Sequence, residues 1–149
     1  PNGNYSTLGR TQTAPAPNSS VDSMKVAVLS CSSIFSGYFN AYGRLAERIL
    51  GLDEMQIFKA RLARNESRGM AYLATRFAAK EAAAKALGTG IGRGISFQHF
   101  SVSNDPSGRP QLELTGPAKA LADSMQVRSV WLSISDEQAY ACATVILES

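Results

Sequence analysis

Four charged residues, Arg76, Lys80, Glu81 and Lys85, fall within ten positions of an alanine-rich stretch, YLATRFAAKEAAAKALGTGIGR, that ends in glycines. Arg76 and Lys80 are four apart, as are Glu81 and Lys85, so each pair stacks on one side of a helix. A carboxylate able to hold a hard divalent ion, beside amines that neutralise phosphate oxygens, is what pyrophosphate chemistry requires. The ordinary reading of Glu81 and Lys85 is a solvated pair contributing about 0.2–0.5 kcal/mol to the helix. Against it stands the adjoining GTGIGRG loop, whose backbone N–H groups are suited to face an anion.

The element that must carry these side chains runs from Arg68 to Leu87, a stretch without proline and almost without β-branched residues, and Gly88 is its natural stop. Leu73, Phe77, Ala84 and Leu87 form its inward stripe. Upstream, Ser33 to Leu50 reads as an aromatic-rich helix with Arg44 and Arg48 four apart. Gly51 and Leu52 punctuate the chain, Asp53 is the expected N-cap of a helix over EMQIFKARLAR, and Asn65, Ser67 and Gly69 mark a break. Downstream, ISFQHFSVS alternates as a strand, NDPSGRP is a turn, and QLELTG is its antiparallel partner. Pro117 opens a short helix, and SVWLSIS and AYACATVIL are two further strands expected to form the central pair. The fold class is therefore α+β, a small antiparallel sheet packed against one long helix.

Composition narrows the function. The 149 residues are 44% apolar and carry a net charge of +3, enough chain for one core. That charge suits an acidic partner or a phosphorylated ligand and is too small to argue for nucleic acid, and no strand interleaves aromatic with basic residues. One histidine, His99, and no GxSxG motif leave nothing for a serine triad or a histidine metal site. Cys31 and Cys142 are far apart and fit reduced thiols in the cytoplasm. No apolar run approaches the roughly 18 residues of a membrane span. Residues 1–23, rich in Pro, Ser, Asn and Thr, read as a disordered leader or added segment. From Met24, MKVAVLSCSSIF reads as a first strand in preference to a signal sequence, because VAVL is too short for the apolar region of one.

RFAAKEAAAKALGTGIGRGISF resembles the signature of the holo-acyl-carrier-protein synthases, the 4′-phosphopantetheinyl transferases: an aromatic residue, two small residues, Lys-Glu, and a second lysine four positions after the glutamate. Phe77, Lys80, Glu81 and Lys85 meet that pattern, and the similarity extends from about Tyr42 to the C-terminal ISDEQAYACATVILE. The resemblance implies transfer of the 4′-phosphopantetheine arm of coenzyme A to a serine of apo-acyl carrier protein, for fatty acid synthesis. It implies that Glu81 ligates Mg²⁺ and that Lys85 contacts phosphate oxygens, the two acting as the catalytic pair. Arg76 and Lys80 are then candidates for the coenzyme's phosphates, including the 3′-phosphate. Gly88, Thr89 and Gly90 allow close backbone approach, and Gly108, Arg109 and Pro110 match the turn beside the adenine. Arg44 and Arg48 match two positions that face acyl carrier protein, and a homotrimer with sites between subunits is expected. The family's usual strand-end aspartate falls near Val28, where no carboxylate stands, and Asp136 replaces a common histidine. The first of these departures leaves a second reading open, a homologue that binds coenzyme A or the carrier without transferring the arm.

Overall fold

The computed structural model describes residues 24–32, 39–137 and 140–149, with side chains described from residue 43 onward. The expectation for residues 1–23, and the first turns of the helix expected from Ser33, lie outside these. The elements run β1 (Met24–Ser32), α1 (Phe39–Ile49), α2 (Leu52–Arg64), α3 (Glu66–Ala86), β2 (Phe100–Asn104), β3 (Pro110–Leu114), α4 (Gly116–Ser124), β4 (Ser129–Asp136) and β5 (Tyr140–Glu148). The class is α+β, as the residue pattern indicates.

Helix α3 is the axis of the molecule. Its alanines Ala74, Ala78, Ala79, Ala82, Ala83, Ala84 and Ala86 are all buried, so the expected stripe is really a sheath. A helix apolar on nearly every side belongs inside a protein, and small side chains let neighbouring backbones come close. On one side it meets β5, whose Ala141, Ala143, Val145 and Leu147 alternate inward. On the other, Ala46, Ile49, Leu50 and Phe58 of the first two helical segments pack around Met70, Tyr72 and Leu73, with the rings of Phe77 and Phe97 5.6 Å apart.

Two sheets flank the helix. One has the order β1-β5-β4, antiparallel throughout, and the other is the hairpin of β2 and β3. Strand β5 is central and β4 an edge, so the two C-terminal strands are not the central pair expected; β1 occupies the far side of β5, pairing Met24 with Glu148 and Ser32 with Tyr140. Strand β2 is also shorter than the alternation in ISFQHFSVS suggests. Phe97–His99 form a 3-10 turn, stabilised by Ser96 N–H donating to His99 Nδ1 at 3.1 Å, and pairing begins only at Phe100. His99 has the packing role expected of it.

Two helix starts differ from expectation. The N-cap of α2 is Gly51, and Asp53 lies inside the first turn; the capping is done by Glu54, whose Oε2 accepts from Gly51 N–H at 2.7 Å. Asn65 alone breaks α2 from α3, its Oδ1 accepting from Arg68 N–H, so Ser67 and Gly69 are helical. Gly69 is there because the helices touch: a Cβ on it would lie 2.8 Å from Leu62 Cα.

Candidate active site

Glu81 and Lys85 project from the last two turns of α3 on its less enclosed side. The Glu81 side chain is 21% exposed and that of Lys85 50%, with Nζ 3.6 Å from Oε2. A separation this long leaves the carboxylate free to take another cation. Among the described residues no three acidic, histidine or cysteine side chains cluster into a self-sufficient metal cage. Glu81 alone is nevertheless the kind of donor that suits Mg²⁺, which binds one or two protein carboxylates and completes its octahedron with water and substrate phosphates.

Lys80, the adjacent residue, corrects the expectation that it contacts phosphate. It is fully buried, with Nζ 2.5 Å from Glu54 Oε2 and 2.6 Å from the Ile49 carbonyl. The other carboxylate oxygen of Glu54 accepts from Val102 N–H at 3.0 Å. One step along a helix turns a side chain by about 100°, which is enough to point Lys80 inward while Glu81 faces out. Burial lowers the Lys80 pKa, outweighing the opposing pull of Glu54.

Arg76, one turn earlier, opens onto a groove of about 640 Å³ between α2, α3 and the hairpin. Arg61, Arg64 and Arg68 line it as well, with Gly108 and Pro110 of the turn and Asp136 at the end of β4. Tyr72 forms part of its wall and makes cation–π contacts with two guanidinium groups, the carbons of Arg76 and Arg61 lying 4.2 and 4.8 Å from the ring centroid. Arg76 is 7% exposed and directs one nitrogen to Asn104 Oδ1 at 3.3 Å. Its Nε and the Tyr72 hydroxyl are buried with no hydrogen-bond partner among the described residues. Burial raises the Tyr72 pKa despite Arg76, so the phenol stays protonated as a donor.

Of the expected coenzyme residues, Arg76, Gly108 and Pro110 thus meet in one groove. Arg109 does not join them. It pairs with Asp105 at 3.3 Å and lines a separate, smaller hollow of about 220 Å³ with Trp131. The glycine exit also departs from expectation. Gly88 N–H donates to Lys85 O, and Thr89 and Gly90 N–H both donate to Ala84 O, so these three amides cap the helix and none is left to face an anion. Gly88 and Gly90 have φ of +82° and +64°, while a Cβ at either meets nothing within 4 Å; conformation, rather than close approach, requires glycine there. Arg44 and Arg48 are both exposed on α1, with the half-exposed Leu45 between them.

Tyr72, Arg61, Arg64, Arg68 and Asn104 were not singled out from the sequence. The signal was the run RLARNESR, whose arginines fall on one side of a helix end that turns back against α3. Sequence separation does not reveal that turn.

A family model described as the 4′-phosphopantetheinyl transferase superfamily matches residues 30–145, and the chain belongs to that superfamily, among its holo-acyl-carrier-protein synthases. It is 57% identical over 104 residues to the holo-[acyl-carrier-protein] synthase of Vibrio parahaemolyticus, covering 70% of this chain and 79% of that protein. With the holo-[acyl-carrier-protein] synthase of Shewanella sediminis it shares 59% identity over 107 residues, 71% of this chain and 76% of the relative. The fold superposes on a holo-(acyl-carrier-protein) synthase from Bacillus anthracis, solved in complex with CoA (3′,5′-ADP), with a TM-score of 0.68 at 33% identity, covering 85% of this chain and 99% of that one. The chain is therefore an enzyme of the phosphopantetheinyl transferase kind, and the family indicated by Phe77, Lys80, Glu81 and Lys85 is borne out.

Proposed function

We propose that this protein transfers the 4′-phosphopantetheine arm of coenzyme A to a serine of apo-acyl carrier protein, serving fatty acid synthesis in the cytoplasm. The observation that carries the reading is the arginine groove with two buried, unpartnered donors, Tyr72 Oη and Arg76 Nε. A buried donor without an acceptor costs about 1–3 kcal/mol, a cost offset when a ligand oxygen supplies the acceptor. Four guanidinium groups select a phosphorylated ligand, and the coenzyme's 3′-phosphate and adenine fit beside Gly108 and Pro110. Asp136 at the rim limits how many negative charges the groove accepts.

Glu81 is the residue that would hold Mg²⁺, which when bound supplies charge neutralisation across the coenzyme's diphosphate. Lys85 offers a mobile ammonium to the same oxygens and favours departure of adenosine 3′,5′-bisphosphate. Arg76 and Glu81 stand about 140° apart around α3, so no single face presents both. That separation supports a site completed by a neighbouring subunit, in keeping with the expected homotrimer. Exposed Arg44 and Arg48 on α1 suit an acidic carrier surface.

Incubation with coenzyme A, Mg²⁺ and apo-acyl carrier protein is expected to raise the carrier's mass by about 340 Da, that of the transferred arm. No mass change at saturating metal rejects the proposal. Coenzyme binding that is indifferent to Mg²⁺, with no adduct, identifies instead a binding homologue, the reading favoured by the missing carboxylate near Val28.

A further inference from the structure

The C-terminal turn of α1 is fastened from outside the helix in an unusual way. The last carbonyls of a helix have no intrahelical partner and must find one elsewhere. Gln98, in the 3-10 turn ahead of β2, directs its Nε2 at three of them, Leu50 O at 3.0 Å, Arg48 O at 3.2 Å and Glu47 O at 3.4 Å. Lys80 takes the fourth, Ile49 O, at 2.6 Å. Both donors lie far along the chain, and each has a second attachment. Lys80 sits beside Glu81 on α3 and is held by Glu54, which in turn binds the backbone of β2 at Val102. Gln98 precedes that same strand. The chain of contacts thus closes on itself, from α1 through Lys80, Glu54, Val102 and Gln98 back to α1.

Burial and charge separate this circuit from ordinary packing. Arg44 and Arg48, on the exposed side of α1, are free to engage a partner, while Ala46 and Ile49 are buried against the core. Among the described residues, the side-chain hydrogen bonds to the final carbonyls of α1 come from Gln98 and Lys80. A rotation or slide of α1 would move Arg44 and Arg48 relative to Glu81, and those bonds oppose it.

We propose that Gln98, together with Lys80, is a positioning residue that fixes α1 in register with Glu81, so that a carrier docked on Arg44 and Arg48 presents its serine hydroxyl to the coenzyme. The inference rests on the proposed function. It assigns to Gln98 a role in the use of the carrier and none in the binding of coenzyme A.

Gln98 is exposed, so its replacement leaves the core untouched and the variants are expected to fold. Steady-state transfer is measured against apo-acyl carrier protein for Gln98→Ala, Gln98→Glu and Gln98→Lys, with Arg48→Ala as the reference for carrier docking, and the Kd of coenzyme A is measured by calorimetry on each. Gln98→Ala is expected to lower kcat/KM for the carrier about five- to tenfold. Gln98→Glu lowers it further, by setting a carboxylate against carbonyls, and Gln98→Lys, which keeps a donor, restores most of it. Coenzyme Kd stays within about twofold in all. A merely structural role would shift melting temperature in that order while moving both substrates equally or neither. Transfer by the wild type with unchanged carrier kinetics in Gln98→Ala and Gln98→Glu overturns the inference alone. So does a coenzyme Kd that falls away in parallel, or an Arg48→Ala variant with normal carrier KM. A wild type that modifies no carrier overturns the proposed function, and this inference with it.

Discussion

Lys80 and Glu81 are neighbours with opposite fates. The lysine is sealed inside, bound by Glu54 and a helix end, and the glutamate keeps an oxygen toward solvent. Replacing Glu81 by glutamine preserves shape and removes the negative charge, so the transfer rate is expected to drop by about a hundredfold or more with an unchanged far-ultraviolet circular dichroism spectrum. Normal turnover in that variant would remove the metal role from residue 81. Tyr72 makes a sharper case because stability and binding should move in opposite directions. Its hydroxyl has no hydrogen-bond partner among the described residues, so Tyr72→Phe is expected to leave the melting temperature level or slightly raised. The same change should weaken coenzyme A binding about fivefold by calorimetry, because one ligand hydrogen bond goes. Equal affinity in both proteins would show that the phenol does not point at the ligand.

At the scale of elements, the crossing of α2 and α3 depends on an absent methyl. In most helix interiors Gly→Ala stabilises by about 1 kcal/mol. At Gly69 the new carbon would meet Leu62 Cα and Cβ at 2.8 and 2.9 Å, so Gly69→Ala is expected to destabilise by about 1–3 kcal/mol, read as a fall in melting temperature of about 2–4 °C per kcal/mol. A rise would mean that the helices stand further apart than described. How much was legible in the chain follows the same division. The long helix, the hairpin turn and the proline-led α4 were legible because local chemistry decides them: alanine propensity, Asp105 with Gly108, and Pro117. The 3-10 turn at Phe97–His99 and the capping of α2 by Glu54 were not. Each has a local bond, Ser96 N–H to His99 Nδ1 and Gly51 N–H to Glu54 Oε2, but is also tied to a distant backbone group, Leu50 O for Gln98 and Val102 N–H for Glu54, which no local pattern records. The charge spacing that made Lys80 look like a ligand is also the spacing of a buried tether, and only the position of Ile49 O and Glu54 tells them apart.

For the whole molecule, the arginine groove and the Glu81–Lys85 pair occupy different sides of one helix, and Trp131 on the edge strand is half exposed. The proposed assembly of three chains would bring such separated halves together. Light scattering is expected to return three times the protomer mass at micromolar concentration, and dilution to monomer should abolish transfer before it unfolds the chain. A monomer with full activity would place the whole site within one subunit. The family signature was legible because its residues are consecutive on one helix, whereas the groove draws on α2, α3, the hairpin turn and β4, four pieces whose meeting no local pattern records.

The pairing of β1 with β5 has a consequence for biosynthesis. The two strands are separated by about a hundred residues, and β5 is shared by both ladders of its sheet. While the ribosome is still making α4 and β4, only the hairpin of β2 and β3 is available to cover the alanine sheath of α3, and β1 has no strand to pair with. The nascent polypeptide must therefore carry its central helix half-clothed until those last nine strand residues emerge, and a chaperone that covers alanine-rich surface would find its substrate in that interval.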